Sequence, residues 1–298
     1  MKRGMLLLAL LGATLSPCAL LAQEDGATGS LPAPTYASSV DWRQGVVSID
    51  ARIDLTGFPQ VLPSARSQGE QIIAQSAPEM LTAALFPIPV DSYETVGSLS
   101  RSDPATMSAV MDILVPADRR YAVLSRNLKS LVVRYQIPLF PDLGSIFVHH
   151  AQANPPLPPL GFVPTTRFSG IVIYAKGDLP VHGENRSAHL APCLFPRIWD
   201  ENMDLVASAK TVDPSVLRAL GVAAYSDSTS LGDFTARIGS VPFQTVATGI
   251  FGKYDTDVII SDEAARELLA SPDNINLIAE GKILIIADLP PVSVTPAP

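Results

Sequence analysis

The sequence is poor in cysteine, in aromatic residues and in charge. Of its 298 residues two are cysteines, 6% are aromatic and 17% are charged. Two cysteines can supply neither a disulfide framework nor a four-thiolate zinc site. Aspartate and glutamate (29) outnumber lysine and arginine (21), which do not cluster, and the formal net charge is −8. This pattern argues against nucleic-acid binding, which needs clustered cations facing phosphates.

The motifs of common catalytic and nucleotide-binding sites are also missing. The chain contains no nucleophile elbow, phosphate-binding loop, dinucleotide fingerprint or His-Glu-x-x-His helix. We therefore expect no catalytic residues, no metal ligands, no bound cofactor and no enzymatic activity.

The first 22 residues have the pattern of an export signal. Lys2 and Arg3 form a basic start, residues 5–11 form a short apolar run, and small or turn-forming residues follow. The run is too short for a stable membrane-spanning helix, and no later apolar stretch reaches 18 residues. We predict a signal peptide over residues 1–22 and a location in the periplasm or at the inner face of the outer membrane. The alternative is lipidation of Cys18, although Pro17 fits a lipidation site poorly.

Hydrophobic patterning divides the remaining chain into two folded parts. We assign residues 23–40 to a flexible lead-in and residues 41–150 to an N-terminal α+β domain. Residues 151–164 contain a proline-rich run that predicts a linker. Residues 165–288 form a predicted C-terminal α/β-type domain, and residues 289–298, which include four prolines, a disordered tail.

In the first part, strict alternation of apolar and polar residues predicts a half-buried strand over residues 47–55. Helical spacing predicts helices over 64–75 and 79–86, with a kink or a new start forced by Pro78. The Asp103-Pro104 pair predicts the start of a further helix. Residues 131–139 and 146–149 have strand-like composition.

In the second part, strand-like runs cover residues 168–174, 193–199, 241–248, 257–260 and 282–287. A short helix is predicted from Asp213 to a closing Gly221, and another from a Ser261 cap. The strand–helix–strand order at the end predicts a βαβ unit over a mixed sheet. The fold class is therefore α+β, with mixed sheets, a few packing helices and two subdomains.

Several second-half segments resemble a known group of bacterial proteins. These segments are residues 168–177, 190–201, 237–242, 256–261 and 282–288. They are similar to the C-terminal domain of uncharacterised exported proteins, some of them related to small envelope lipoproteins, including outer-membrane proteins associated with flagella. The resemblance covers roughly residues 165–288. It implies an envelope location and a structural or assembly role, and it supplies no catalytic residues. The chain departs from the family at Tyr174, where an acidic residue is usual, and at Lys176, where arginine is usual.

The histidines are the first candidates for chemistry. His149 and His150 are adjacent, so on a strand their side chains point to opposite faces and cannot easily share a metal ion. His182 and His189 flank Glu184, but their spacing matches no standard zinc pattern. A strand end at a domain boundary explains the first pair, and a solvated loop explains the second.

Cys193 and a group of carboxylates are the remaining candidates. Cys193 lies in an apolar run, which favours an inert buried thiol over a nucleophile. Asp255, Asp257, Asp262 and Glu263 surround a strand end and a helix start. Helix capping and solubility explain most of them, and Asp257 is the residue left for acid–base chemistry or cation binding.

Three aromatic residues are candidates for a partner surface, although core packing is the simpler interpretation of each: Trp42, Trp199 and Tyr225. From the sequence we expect a non-enzymatic envelope protein that acts through contacts with envelope, outer-membrane or flagellar proteins. The alternatives are a metal-dependent hydrolase built on the acidic cluster with His182 or His189, and a periplasmic protein that binds a small ligand.

Overall fold

The computed structural model describes residues 32–115, 117–159 and 166–292. Three predicted features lie wholly or partly outside these residues: the signal peptide with Cys18, the early lead-in up to residue 31, and the tail beyond residue 292. Residues 160–164 of the predicted linker lie outside them too.

The first part of the chain forms a four-stranded antiparallel sheet in the order β1-β2-β4-β3. The strands are β1 (Thr35–Asp41), β2 (Val46–Asp54), β3 (Asp118–Leu124) and β4 (Ser130–Pro138). The alternation predicted for 47–55 is confirmed, because Val47, Ile49, Ala51 and Ile53 are all buried on one face of β2.

Three helices belong to this part: α1 (Ser64–Leu85), α2 (Val96–Ser102) and α3 (Pro104–Leu114). The new helix start predicted as one outcome at Pro78 is wrong, since α1 runs through this residue as one helix. The helix keeps a continuous buried face there, including Ala77 and Leu81. The Thr82 hydroxyl also donates to the Pro78 carbonyl at 2.7 Å. Packing thus outweighs the single backbone hydrogen bond that proline removes.

The second part forms a seven-stranded sheet and a small hairpin. The sheet contains β5 (Ile171–Ala175), β8 (Ile198–Trp199), β9 (Leu205–Ala207), β10 (Ala224–Ser226), β11 (Phe243–Phe251), β12 (Asp257–Ile260) and β13 (Ile283–Ala287). Their order is β10-β13-β5-β11-β12-β8-β9. The hairpin pairs β6 (Leu179–Pro180) with β7 (Ser187–Ala188). The helices are α4 (Pro214–Leu220), α5 (Thr235–Ile238), α6 (Asp262–Leu269) and α7 (Pro272–Ala279).

The strand directions confirm a mixed sheet, and the two separate large sheets confirm an α+β fold with two subdomains. Strands β10, β13, β5 and β11 run parallel, whereas β12 runs antiparallel to β11. The predicted βαβ unit is therefore wrong. Strands β12 and β13 are antiparallel to each other and are separated by β5 and β11.

Three further predictions from the sequence need correction. The flexible lead-in assigned to 23–40 contains six of the seven residues of β1, all of which pair with β2. Residues 146–149 form a turn and an irregular segment, and within 193–199 only Ile198–Trp199 is a strand. Local composition is strand-like in each case, but tertiary contacts decide whether a partner strand is present.

One continuous hydrophobic core runs through both sheets and the helices around them. Two edge-to-face aromatic pairs lie across the two parts, Trp42 with Tyr225 and Phe140 with Phe195, each with ring centroids 5.8 Å apart. The described portion of the proline-rich segment also lies against the second part, because the Asn154 amide donates to the Lys210 carbonyl at 2.8 Å. Within the described residues, no helix has the length and apolarity needed to cross a bilayer.

Arg237 joins the ends of two helices. Its guanidinium donates to the carbonyls of Leu220 (2.9 Å) and Gly221 (3.2 Å) at the end of α4, and to Gly281 (2.8 Å) after α7. Carbonyls at a helix end have no partner within the helix, so Arg237 satisfies groups that the fold would leave unpaired. No carboxylate pairs with it among the described residues.

We expect Arg237→Met to lower the free energy of unfolding by about 2–4 kcal/mol, because it removes charge-assisted hydrogen bonds and leaves partly buried carbonyls unpaired. Urea titration measures the change. Arg167→Met is the control, because the Arg167 side chain is 82% exposed and forms only a surface ion pair with Asp273. The control should change stability by less than about 1 kcal/mol. Equal losses in the two variants would contradict this role.

Candidate functional site

A groove between the two parts of the chain has a volume of about 680 Å³. Its walls are apolar with a few charged groups at the rim. The lining residues are Val90, Asp91, Leu99, Ser102, Asp103 and Thr106 from the first part, Phe147 and His149 from the connecting segment, and Phe195, Arg197, Trp199, Leu205, Ser208, Ala209 and Lys210 from the second.

Capped helices fix the first wall of this groove. The Thr95 hydroxyl accepts from the Ser98 amide and starts α2. Asp103 starts α3 as the sequence predicts, accepting from the Ala105 and Thr106 amides, both at 3.1 Å. Hydrogen bonds to the Asp103 carboxylate lower its pKa, the largest effect coming from the Thr106 hydroxyl and smaller ones from these two amides. The carboxylate therefore stays ionised at the groove.

The second wall is the segment 193–199, which crosses from one part of the chain to the other. The Leu194 amide donates to Pro89 O (3.1 Å), and the Phe195 amide donates to Val90 O (2.8 Å). The Tyr225 hydroxyl accepts from the Cys193 amide and donates to the Cys193 carbonyl, each at 3.2 Å. These contacts replace the strand that the sequence predicts for this segment.

Arg197 bridges the rim of the groove. Its guanidinium pairs with Asp91 at 3.0 Å and lies 5.9 Å from the ring centroid of Tyr93. Near the other end, the exposed Lys210 has no ion-pair partner among the described residues. The groove therefore has an apolar interior and two cations at its rim. Arg197 is paired with a carboxylate, and Lys210 has no ion-pair partner among the described residues.

The buried carboxylate of Asp257 holds the segment 193–199 in place through hydrogen bonds. This carboxylate accepts from the Trp199 indole N–H at 3.0 Å and from the Arg197 amide at 3.2 Å. Burial raises the pKa of Asp257, and these hydrogen bonds offset part of that rise. The residue that the sequence left for acid–base chemistry is therefore inaccessible and supports the groove through Trp199 and Arg197.

Cys193 is likewise buried, and its thiol is free. Burial raises the pKa of Cys193 to about 12, so the thiolate that a nucleophile needs does not form near neutral pH. The structure agrees with the sequence-based preference for an inert thiol.

The four histidines lie in four different surroundings. His149 lines the groove, whereas the His150 ring nitrogen lies 3.1 Å from the Val212 carbonyl. His182 packs edge-on against Phe251, with centroids 6.0 Å apart. His189 lies between Asp178 (3.3 Å) and Asp288 (3.1 Å).

The acidic residues are also dispersed. Asp255 forms a two-pronged pair with Arg186, which also contacts Glu184. Asp262 accepts from Asn202 at 2.6 Å, and Glu263 lies with it in the first turn of α6, where Ser261 is the predicted cap. Within the described ranges, no three histidine, cysteine or acidic side chains gather as metal ligands.

Of the three aromatic candidates, Trp199 alone lines the groove, while Trp42 and Tyr225 are buried in the core. Sequence reasoning missed Asp91 and Lys210. They come from segments far apart in sequence, and neither carries a local motif.

The two positions that depart from the resembling family have ordinary roles here. The Tyr174 hydroxyl donates to the Gln244 side-chain oxygen at 2.9 Å. Lys176 pairs with Asp288 at 3.5 Å and donates to the Asp227 carbonyl at 2.9 Å. The side chains of Tyr174 and Lys176 therefore have separate partners.

The fold and groove define a two-domain α+β protein with a groove between the domains. Comparison with known families shows the same division. Residues 33–146 match the family model of the N-terminal domain of Treponema pallidum Tp0624, and residues 170–289 match that of its second domain. The chain is thus similar to two domains of that protein, in the same order. No curated protein matches the chain.

We expect Asp257→Asn to change how stability depends on pH. Because burial raises the folded-state pKa of Asp257, the folded protein binds this proton more tightly than the unfolded chain does. The resulting stability is complete below the unfolded pKa of about 3.9 and is lost as pH rises through the folded pKa. Asparagine cannot ionise, so urea titrations should show a smaller decline in stability above about pH 4.

Asp255→Asn is the matched control for this measurement. Asp255 is two residues away and pairs with Arg186 at the surface. This control should keep the wild-type decline above about pH 4. If Asp257→Asn and wild type show the same pH dependence, the buried carboxylate does not have the raised pKa.

We also expect Cys193 to resist thiol reagents in the folded protein, because its thiol is buried and its pKa is raised to about 12. Iodoacetamide labelling at pH 8, followed by mass spectrometry, should modify it only after denaturation. Leu157→Cys provides an accessible comparison, since Leu157 is 86% exposed. Rapid labelling of native Cys193 at the rate of Leu157→Cys would show that the thiol is reachable.

Proposed function

We propose that the protein is an exported, non-catalytic envelope protein that acts through contacts with other proteins, and that the groove between its two domains receives a partner segment. The observation that carries this proposal is the character of the groove: an apolar interior with Trp199 and Phe195, bounded by charged groups. Interfaces commonly combine an aromatic and aliphatic centre with a polar rim.

The state of the reactive side chains supports a binding role. Asp257 and Cys193 are buried and serve the packing of the segment behind the groove. Asp91 and Arg197 neutralise each other at the rim. These four side chains are thus committed to structure, while apolar surface remains available in the groove.

The signal-peptide pattern of residues 1–22 and the family resemblance supply the location and partner class of this proposal. Envelope and outer-membrane proteins, with flagellar components among them, are the partners that the resemblance suggests. The alternative to removal of residues 1–22 is a lipid anchor at Cys18. Mass spectrometry of the mature N-terminus distinguishes a chain that starts after residue 22 from one that starts at a lipidated Cys18.

A small-ligand-binding protein is the second candidate, because a cavity of about 680 Å³ is within the size range of ligand sites. The third alternative, a metal-dependent hydrolase built on the acidic cluster, has less support. His182 packs against Phe251, and His189 contacts Asp178 and Asp288, neither of which belongs to that cluster. Metal analysis tests it directly: stoichiometric zinc or calcium in the purified protein would overturn the non-catalytic proposal.

A photo-crosslinking amino acid placed in the groove tests the proposed function. Leu205 lines the groove and is 38% exposed, whereas Leu220 is 49% exposed outside it. In the producing bacterium, we expect a crosslinker at position 205 to give a discrete protein adduct and a crosslinker at position 220 to give none.

The outcomes separate the two binding roles. An adduct at position 205 that disappears with Trp199→Ala, in a protein that still folds, supports protein contact through the groove. Equal adducts at both positions, or none, contradict it. Thermal stabilisation by a small molecule, lost in Trp199→Ala and without any protein adduct, favours the ligand-binding candidate.

A further inference from the structure

Within the part of the chain that the structure describes, strand β1 forms an edge of the first sheet and has one backbone side without a partner strand. Among the described residues it pairs only with β2, over seven consecutive residues without a bulge. Such an edge presents alternating N–H and C=O groups that can bind another strand. Its residues are exposed from Thr35 to Ser38 and partly buried from Ser39 to Asp41.

Strand β3, at the opposite edge of the same sheet, carries protective features that β1 itself lacks. Strand β3 is interrupted by an irregularity between Arg119 and Tyr121, and both Arg119 and Arg120 are exposed on it. Bulges and basic side chains are common devices against edge-to-edge pairing. Strand β1 has no lysine, arginine or proline, and its single charge, Asp41, is at its end.

The apolar face of the sheet continues to this open edge. Tyr36, Ser38 and Val40 lie opposite Ala51, Ile49 and Val47 of β2, which are buried in the core. Tyr36 is nevertheless 43% exposed. A cavity of about 440 Å³ adjoins Ser38 and Val40, and its far side is formed by segments 84–89, 191–192 and 290–291.

We propose that a second copy of the chain binds β1 through its own β1, antiparallel, about a two-fold axis at Ser38. Tyr36 of each copy then lies opposite Val40 of the other, and Ala37 lies opposite Ser39. Aromatic residues pair favourably with β-branched residues across antiparallel strands. Asp41 lies opposite Thr35, so no like charges meet. The two sheets join into one continuous eight-stranded sheet.

The strand's own symmetry favours a second copy over an unrelated segment. Ser38 is the central residue of the seven in β1. An axis there pairs all seven residues, and each Tyr36–Val40 contact occurs twice. An axis displaced to Val40 leaves Tyr36 beyond the paired region and brings Asp41 opposite Ser39. The central register therefore combines the most backbone pairs with the best side-chain contacts.

Disulfide trapping tests this register in the exported protein as recovered from a producing bacterium. Ser38→Cys places the two thiols directly opposite each other, where facing Cα atoms are about 4.5–5.5 Å apart and can be bridged. Under mild oxidation we expect rapid covalent dimers. Ser39→Cys alone should crosslink poorly, since its two copies are diagonal neighbours at about 7–8 Å or more. Mixing Ala37→Cys with Ser39→Cys protein should restore crosslinking.

Sedimentation of the protein without engineered cysteines tests whether the contact forms spontaneously. We expect a concentration-dependent dimer whose dissociation constant rises about tenfold or more in Ser38→Lys, which brings two cations together at the axis. Gln152→Lys adds the same charge on an exposed loop and should leave the dimer unchanged. Thermal unfolding verifies that Ser38→Lys still folds.

Three results would overturn the proposal. The first is a protein that stays monomeric at all concentrations, as expected if residues preceding Pro32 cover the edge. The second is a dimer that Ser38→Lys leaves intact. The third is crosslinking of Ser39→Cys as fast as that of Ser38→Cys, which would exclude this register. None of these results depends on whether the groove binds a partner.

Discussion

The contacts of the segment 193–199 are what the rest of the structure depends on. This segment bonds through its backbone to residues 89–90 of the first domain and to the hydroxyl of Tyr225 in the second. Asp257 fixes it by accepting hydrogen bonds from the Trp199 indole N–H and the Arg197 amide. The segment therefore aligns the two domains and forms one wall of the groove between them. Core packing and site geometry have a common origin here.

The sequence predicts secondary structure best where a pattern is local and complete. The alternation around Ile49, the Asp103 and Ser261 caps and the Gly221 helix end all specify their elements within a few residues, and each is confirmed. Gly221 has a φ of +69°, which favours glycine because it has no Cβ. No new helix starts at Pro78, because burial along α1 outweighs one missing hydrogen bond.

The groove could not be predicted in the same way. Its walls come from segments about one hundred residues apart, such as Asp91 and Arg197, and neither residue belongs to a motif. The order of the sheet is equally non-local. In the sequence, β12 and β13 have the pattern of a βαβ unit, but in the sheet β5 and β11 lie between them. The residues with the strongest chemical character in the sequence, Cys193 and Asp257, instead support the packing of the groove wall. Their burial is a tertiary property.

The hydrophobic core shared by the two domains has a consequence for how the protein can vary among relatives. Each domain matches its own family model, yet Phe195 packs against Phe140 and Tyr225 packs against Trp42 across the boundary. The domains therefore match separate family models but share one hydrophobic core. A chimaera that combines one domain with a relative's other domain must exchange both sides of this boundary together, or leave aromatic rings without their counterparts.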